Sequence, residues 1–141
     1  MKNLLYLIIL ISAGLVIQGC GDSEDFSPDR KLLQGDWKGQ IVGENSEFML
    51  NISGGKFNIA AVDSDVWYKG TFVLNEKATP KQIDFLIDDC FIEQYKGTTT
   101  EAIYKIEKGI FSFASYEPGT LTRPADFNAS DGSVAFNFSR R

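Results

Sequence analysis

In the segment Ser46-Glu47-Phe48-Met49-Leu50-Asn51-Ile52-Ser53-Gly54-Gly55-Lys56-Phe57-Asn58-Ile59-Ala60-Ala61-Val62, large apolar residues recur at every second position on either side of a Gly-Gly pair. Phe48, Leu50 and Ile52 fall on one face of an extended chain, and Phe57, Ile59 and Ala61 do the same beyond the glycines. A period of two marks a strand with one buried face, whereas a helix would repeat every ~3.6 residues. No helical stripe runs through either half. Gly54-Gly55 supplies the backbone freedom that a tight turn between two strands needs.

The same alternation continues outward from this segment. Eight runs follow one another, at about 35–42, 46–52, 56–62, 66–74, 82–90, 99–107, 110–116 and 133–139. Ile83, Phe85 and Ile87 share a face, as do Val134, Phe136 and Phe138. Turn formers interrupt most gaps, as at Gly43-Glu44-Asn45, Asp63-Ser64-Asp65, Lys108-Gly109 and Asp131-Gly132. With 11 Phe, 5 Tyr and 2 Trp, the faces are heavy in aromatic rings, which suit a pleated sheet. Eight sequential antiparallel strands make an all-β meander of the size that closes into a barrel, filled by side chains or holding one small ligand. An open sandwich is the alternative. The longest connection, 117–132, holds Pro118-Gly119 and Arg123-Pro124, and a loop of that length is often functional or drapes over an opening. Before the first strand, Ser27 is placed as an N-cap with Pro28 at the first helical position, so that Arg30 to Leu33 complete a short helical turn. Neither an internal repeat nor a second domain is visible.

The N-terminus carries an address. Lys2 precedes the apolar run Leu4 to Ile17, which is shorter than the ~20 residues of a membrane span and ends in small residues and a cysteine. Residues 1–19 therefore read as a removed signal peptide. Val16-Ile17-Gln18-Gly19-Cys20 resembles a bacterial lipobox, with Ile17 three positions before the cysteine and Gly19 directly before it, although Gln18 is bulkier than the usual Ala or Ser. The resemblance implies that Cys20 becomes the mature N-terminus, bearing diacylglycerol and an N-acyl chain of the palmitate kind. Each buried methylene contributes about 0.8 kcal/mol and one chain binds only marginally, so two or three make a lasting anchor. A plain cleaved signal with an incidental cysteine is the competing reading. Residues 20–30 then form an acidic tether with Asp22, Glu24 and Asp25, and the domain occupies 31–141. The expected location is the cell envelope, with the outer membrane favoured over the inner, and the domain in the periplasm or at the cell surface.

Roughly 120 residues remain after cleavage, enough for one core. The net charge of −5 becomes more negative when Lys2 is lost, which argues against nucleic acid and against a polybasic grip on anionic lipid. With Cys20 acylated, only Cys90 is left, and the chain has no histidine. Cys90 ends a strand run and is read as a packing residue. No cofactor is implied.

Several pieces of the mature chain resemble a small bacterial domain family of uncharacterised function, frequent in planctomycete-type genomes and regarded as lipocalin-like. They are Leu33-Gln34-Gly35-Asp36-Trp37, Lys69-Gly70-Thr71-Phe72-Val73-Leu74 with Pro80-Lys81-Gln82-Ile83-Asp84, Ala102-Ile103-Tyr104-Lys105-Ile106 and Arg123-Pro124-Ala125-Asp126-Phe127. The resemblance covers about residues 31–141. It implies a lipocalin-like barrel begun by a Gly-x-Trp strand whose Trp37 plugs one end, with Arg140 or Arg141 placed to meet that ring by a cation–π contact. The chain is shorter than lipocalins, lacks their disulfides and shows no clear second or third lipocalin motif. The family brings no established activity.

Among individual residues, Trp67-Tyr68 follows a Ser/Asp-rich turn, so one ring should face outward or toward the barrel mouth. Arg123 is weighed between an anion-recognising guanidinium and a local partner for a carboxylate or for backbone carbonyls, with Phe127 anchoring the loop. Asp63-x-Asp65 and Asp88-Asp89 lack the ligand count of a calcium loop and read as solvated turn carboxylates, so no metal site is assigned. Catalysis has no histidine, no Gly-x-Ser-x-Gly and no phosphate loop to stand on. The chain is therefore read as a non-enzymatic binding module for a small apolar or amphipathic ligand, with Trp67, Tyr68, Tyr104, Tyr116 and Arg123 as candidate lining or rim. The alternative is a filled barrel serving as a structural lipoprotein or binding an envelope protein partner, with an enzyme a distant third.

Overall fold

The computed structural model describes residues 27–141; residues 1–26, and with them the signal peptide, the lipobox and Cys20, lie outside the described part. Eight strands, β1 (Gly35–Ile41), β2 (Glu47–Ser53), β3 (Lys56–Ala61), β4 (Trp67–Asn75), β5 (Gln82–Cys90), β6 (Thr99–Glu107), β7 (Ile110–Ser115) and β8 (Val134–Arg140), follow a short helix α1 (Pro28–Leu33). Each strand pairs antiparallel with the next, and β8 returns to β1 with Gly39 opposite Phe138, which closes an up-and-down barrel. The barrel is lipocalin-like and leaves no sheet edge unpaired. Strand bounds fall within one residue of those read from the alternation, because the apolar period and the turn formers mark the same points.

The two hairpin arms quoted first are β2 and β3, paired in register from Phe48 opposite Ala61 to Ser53 opposite Lys56. Phe48, Leu50, Ile52, Phe57 and Ile59 all enter the core. Gly39 is required by β1–β8 closure: a Cβ there would lie 2.0 Å from the Asn137 carbonyl oxygen and 2.7 Å from the Phe138 ring. Alternation breaks on β6 and β7, where Ile103 and Ala114 are buried although their neighbours Ala102, Tyr104 and Phe113 are buried too. The cause is outside the barrel. The 117–132 connection runs down the outer wall, setting Phe127 and Ala129 against Ile103, Ala114 and Ala135. Lys105 covers the Phe127 ring at 4.7 Å. The loop is thus a strap over the wall rather than a cover over the opening, with its two ends at the rim.

α1 begins as the sequence indicates. The Ser27 hydroxyl oxygen accepts from the Arg30 backbone N–H at 3.3 Å, and Pro28 stands in the first turn. The helix lies across the end of the barrel where the 54–55, 76–81 and 108–109 turns and the C-terminus gather. The opposite end is ringed by the 42–46, 62–66 and 91–98 connections and by both ends of the strap.

Candidate functional site

The closed end explains where a ligand does not go. Leu33 and Trp37 are buried, and the Trp37 indole N–H donates to the Leu33 carbonyl at 2.8 Å. The Arg140 guanidinium lies 4.3 Å from the Trp37 ring centroid and donates to the carbonyls of Leu32 and Gln34, so the last strand locks α1 onto the plug. Beside it the Tyr104 hydroxyl donates to Asp29 Oδ2 at 2.7 Å, and Lys81 Nζ meets the same oxygen at 2.7 Å. Burial by itself would raise the Asp29 pKa, but the hydrogen bonds from Lys81 and Tyr104 and the charge of Lys81 hold it below the ordinary value. Burial, then the hydrogen bond to Asp29, push Tyr104 well above the usual phenol range.

Aromatic rings fill the barrel above this plug. Phe111 packs on Trp37 at 6.0 Å and on Phe138 at 6.3 Å, and Phe113 stacks on Phe136 at 4.7 Å and meets Phe85 at 5.1 Å. Phe57 closes on Phe85 at 5.0 Å. Toward the open end the filling stops, and a cavity of about 250 Å³ remains. Its floor and walls are Leu50, Phe57, Ile59, Phe85, Ile87, Phe113 and Phe136, and its rim is Tyr68, Tyr116, Glu117, Pro118, Gly132 and Val134. Thr100 on β6 and Ser115 on β7 are the polar side chains set into the wall. The volume sits just under the ~300–1,000 Å³ typical of small-molecule sites.

The rim is held by hydrogen bonds between loops. The Tyr95 hydroxyl, in the turn between β5 and β6, donates to Glu117 at the start of the strap. The Tyr116 hydroxyl donates to Asp131 at the strap's other end, and Asp131 also accepts from the Ser133 hydroxyl at 2.8 Å. That bond to Asp131 raises the Tyr116 pKa, and the bonds from Tyr116 and Ser133 lower that of Asp131. Burial is the main cause that raises the Tyr68 pKa, with the negative charge of Glu117 adding to it.

Of the residues singled out in the sequence, Tyr68 and Tyr116 reach the cavity and three do not. Trp67 precedes Tyr68 on β4 and therefore points to the outer face, where Lys69 lies 5.8 Å from its ring. Tyr104 is inward but sits at the closed end, held by Asp29. Arg123 is on the outer wall: it pairs with Asp84 at 2.7 Å and donates to the Ala102 carbonyl at 2.6 Å, fastening the strap across β5 and β6. Cys90 is buried, and its thiol donates to the Ile92 carbonyl at 3.0 Å. Among the described residues no group of three or more His, Cys, Asp or Glu is arranged to hold a metal ion.

Sequence reading passed over Thr100, Ser115 and Glu117. Parity was the available signal, since Thr100 shares the inward face of β6 with Ala102 and Tyr104 and is the polar member of that row. Compared with protein-family models, with curated proteins and with solved structures, the chain finds no match, so the cavity itself carries the functional reading.

Proposed function

We propose that this chain is a membrane-anchored, non-enzymatic binding lipoprotein whose barrel takes a small, largely apolar molecule at its open end. The observation that carries the reading is a barrel packed solid in one half and left with an apolar-walled cavity of about 250 Å³ in the other. A protein selected only for stability would fill that space, because lost packing in a core is costly. Tyr68 and Tyr116 are the rim residues placed to touch the ligand.

Anchoring through lipidated Cys20 fits the direction of the chain. Ser27 enters at the closed end, so an anchor upstream would tether the barrel by the end opposite its mouth. β4 and β5 are 9 residues long. At ~3.3 Å per residue and a tilt near 40°, the mouth stands roughly 20–25 Å beyond the closed end. A periplasmic or surface-exposed domain in the cell envelope would then sample its ligand from solution.

Native mass spectrometry of the full chain, purified from its own host in mild detergent before and after organic extraction, tests the binding. Expected is an adduct that extraction removes and that the Ser115→Phe variant, with a ring set into the cavity, no longer carries. A clean apo mass that persists after incubation with envelope lipid extract counts against it. Release of Cys20→Ala from the membrane fraction tests the anchor separately.

A further inference from the structure

The cavity has a polar point inside it that the apolar reading does not use. Thr100 is 7 % exposed, and among the described residues its Oγ1 is the buried side-chain polar atom without a hydrogen-bond partner. A hydroxyl withdrawn from water and left unpaired is destabilising, and native structures seldom keep one without a reason. Thr100 belongs to the cavity wall, next to Ser115: Ala102 faces Ser115 across the β6–β7 pair, so Thr100 is the neighbouring inward position toward the rim. Tyr68 completes the lining from β4 on the rim.

The charge nearby has one sign. Glu117 is the charged side chain in the lining, at the rim where the strap begins. Lys96, in the β5–β6 connection at this end, is occupied by Asp89 at 3.2 Å and Glu93 at 2.6 Å. A carboxylate or phosphate brought here would lose water and meet a like charge, which is how a site rejects a ligand. Shape narrows the class further. The floor formed by Phe85 and Phe113 stops a long chain from threading downward, and the walls offer aromatic faces and edges.

Resting on the binding role proposed above, we infer that the ligand is a compact ring-bodied alcohol or amine, uncharged or cationic, whose ring fills the aromatic cavity while its single polar group hydrogen-bonds the Thr100 hydroxyl. Glu117 sets the charge preference and Thr100 the polar register. A site built to bond one hydroxyl or N–H discriminates far better than an apolar pocket alone, because the wrong ligand leaves the buried group unpaired.

A matched trio of probes tests this: 2-naphthalenemethanol, 2-naphthylmethylammonium and 2-naphthoate share a ring and differ in head group. Equilibrium dialysis of the full chain in lipid nanodiscs, against matched empty discs, cancels partition into lipid. Expected is measurable binding of the alcohol and the ammonium, with naphthoate weaker by about tenfold or more. Thr100→Val should weaken the alcohol by about threefold to tenfold, the worth of one hydrogen bond, while its melting temperature stays at or above that of the parent chain. Glu117→Gln should narrow the gap between naphthoate and the alcohol. Equal binding of all three probes, or alcohol binding unchanged in folded Thr100→Val, overturns the inference and leaves the binding cavity standing. Binding by none of the three removes both.

Discussion

Replacing Tyr104 by Phe deletes one oxygen from the closed end and leaves the ring in place. The lost bond runs from a hydroxyl on a residue 1 % exposed to the Asp29 carboxylate, at 2.7 Å. A hydrogen bond to a charged group contributes about 1.5–3 kcal/mol. The Lys81 contact to the same oxygen remains, but the Lys81 side chain is 43 % exposed, so solvent screens that ion pair and it offsets little of the loss. The expected destabilisation is about 2 kcal/mol at neutral pH, which with an m-value near 2 kcal/mol/M shifts the urea midpoint by about 1 M. The pH dependence follows from the sign of the Asp29 shift. Its folded-state pKa lies below the unfolded value, so its contribution is complete above that unfolded value and is lost as pH falls through the folded one. The difference between parent and Tyr104→Phe should therefore be flat from pH 7 to about 5 and narrow below about 4 as the carboxylate protonates. Urea melts followed by near-ultraviolet circular dichroism at pH 7 and pH 3 measure it. A difference under about 0.5 kcal/mol at pH 7, or one that fails to narrow at pH 3, refutes a charged Asp29 acceptor at the plug.

Thr100→Val should stabilise the unliganded chain by about 1–2 kcal/mol, since an unpaired buried hydroxyl gives way to a methyl of similar shape; thermal melts read this directly. Arg140→Ala should cost about 1–3 kcal/mol, because it removes both the cation–π contact to Trp37 and the donors to Leu32 and Gln34, and hydrogen exchange should rise first in α1. Arg123→Ala frees the strap from Asp84 and Ala102, so limited proteolysis should move to the 117–132 loop while the melting temperature drops by only a few degrees. Above about pH 10 the parent chain should lose stability that Tyr104→Phe keeps, because the folded state resists ionising Tyr104 more than the unfolded chain does.

The strands and their meander order were legible in residue order, because the apolar period of two and the turn formers are local features repeated eight times with little between them. Ser27 and Pro28 announced α1 for the same reason. Closure in place of an open sandwich was decided by β8 pairing with β1. Position along the barrel axis was not legible. Alternation says that Tyr68 and Tyr104 face inward, but not that one stands at the rim and the other at the plug; that depends on strand order, register and tilt acting together. Nor did the sequence separate Arg123 as a ligand contact from Arg123 as a clasp, since Asp84 meets it only after β5 and β6 have paired and the strap has crossed them. The cavity is the furthest from the sequence. Whether a barrel of this composition is full or half full depends on how Phe57, Phe85, Phe113 and Phe136 pack against one another, and close packing is a property of the assembled volume that no local stretch of chain encodes.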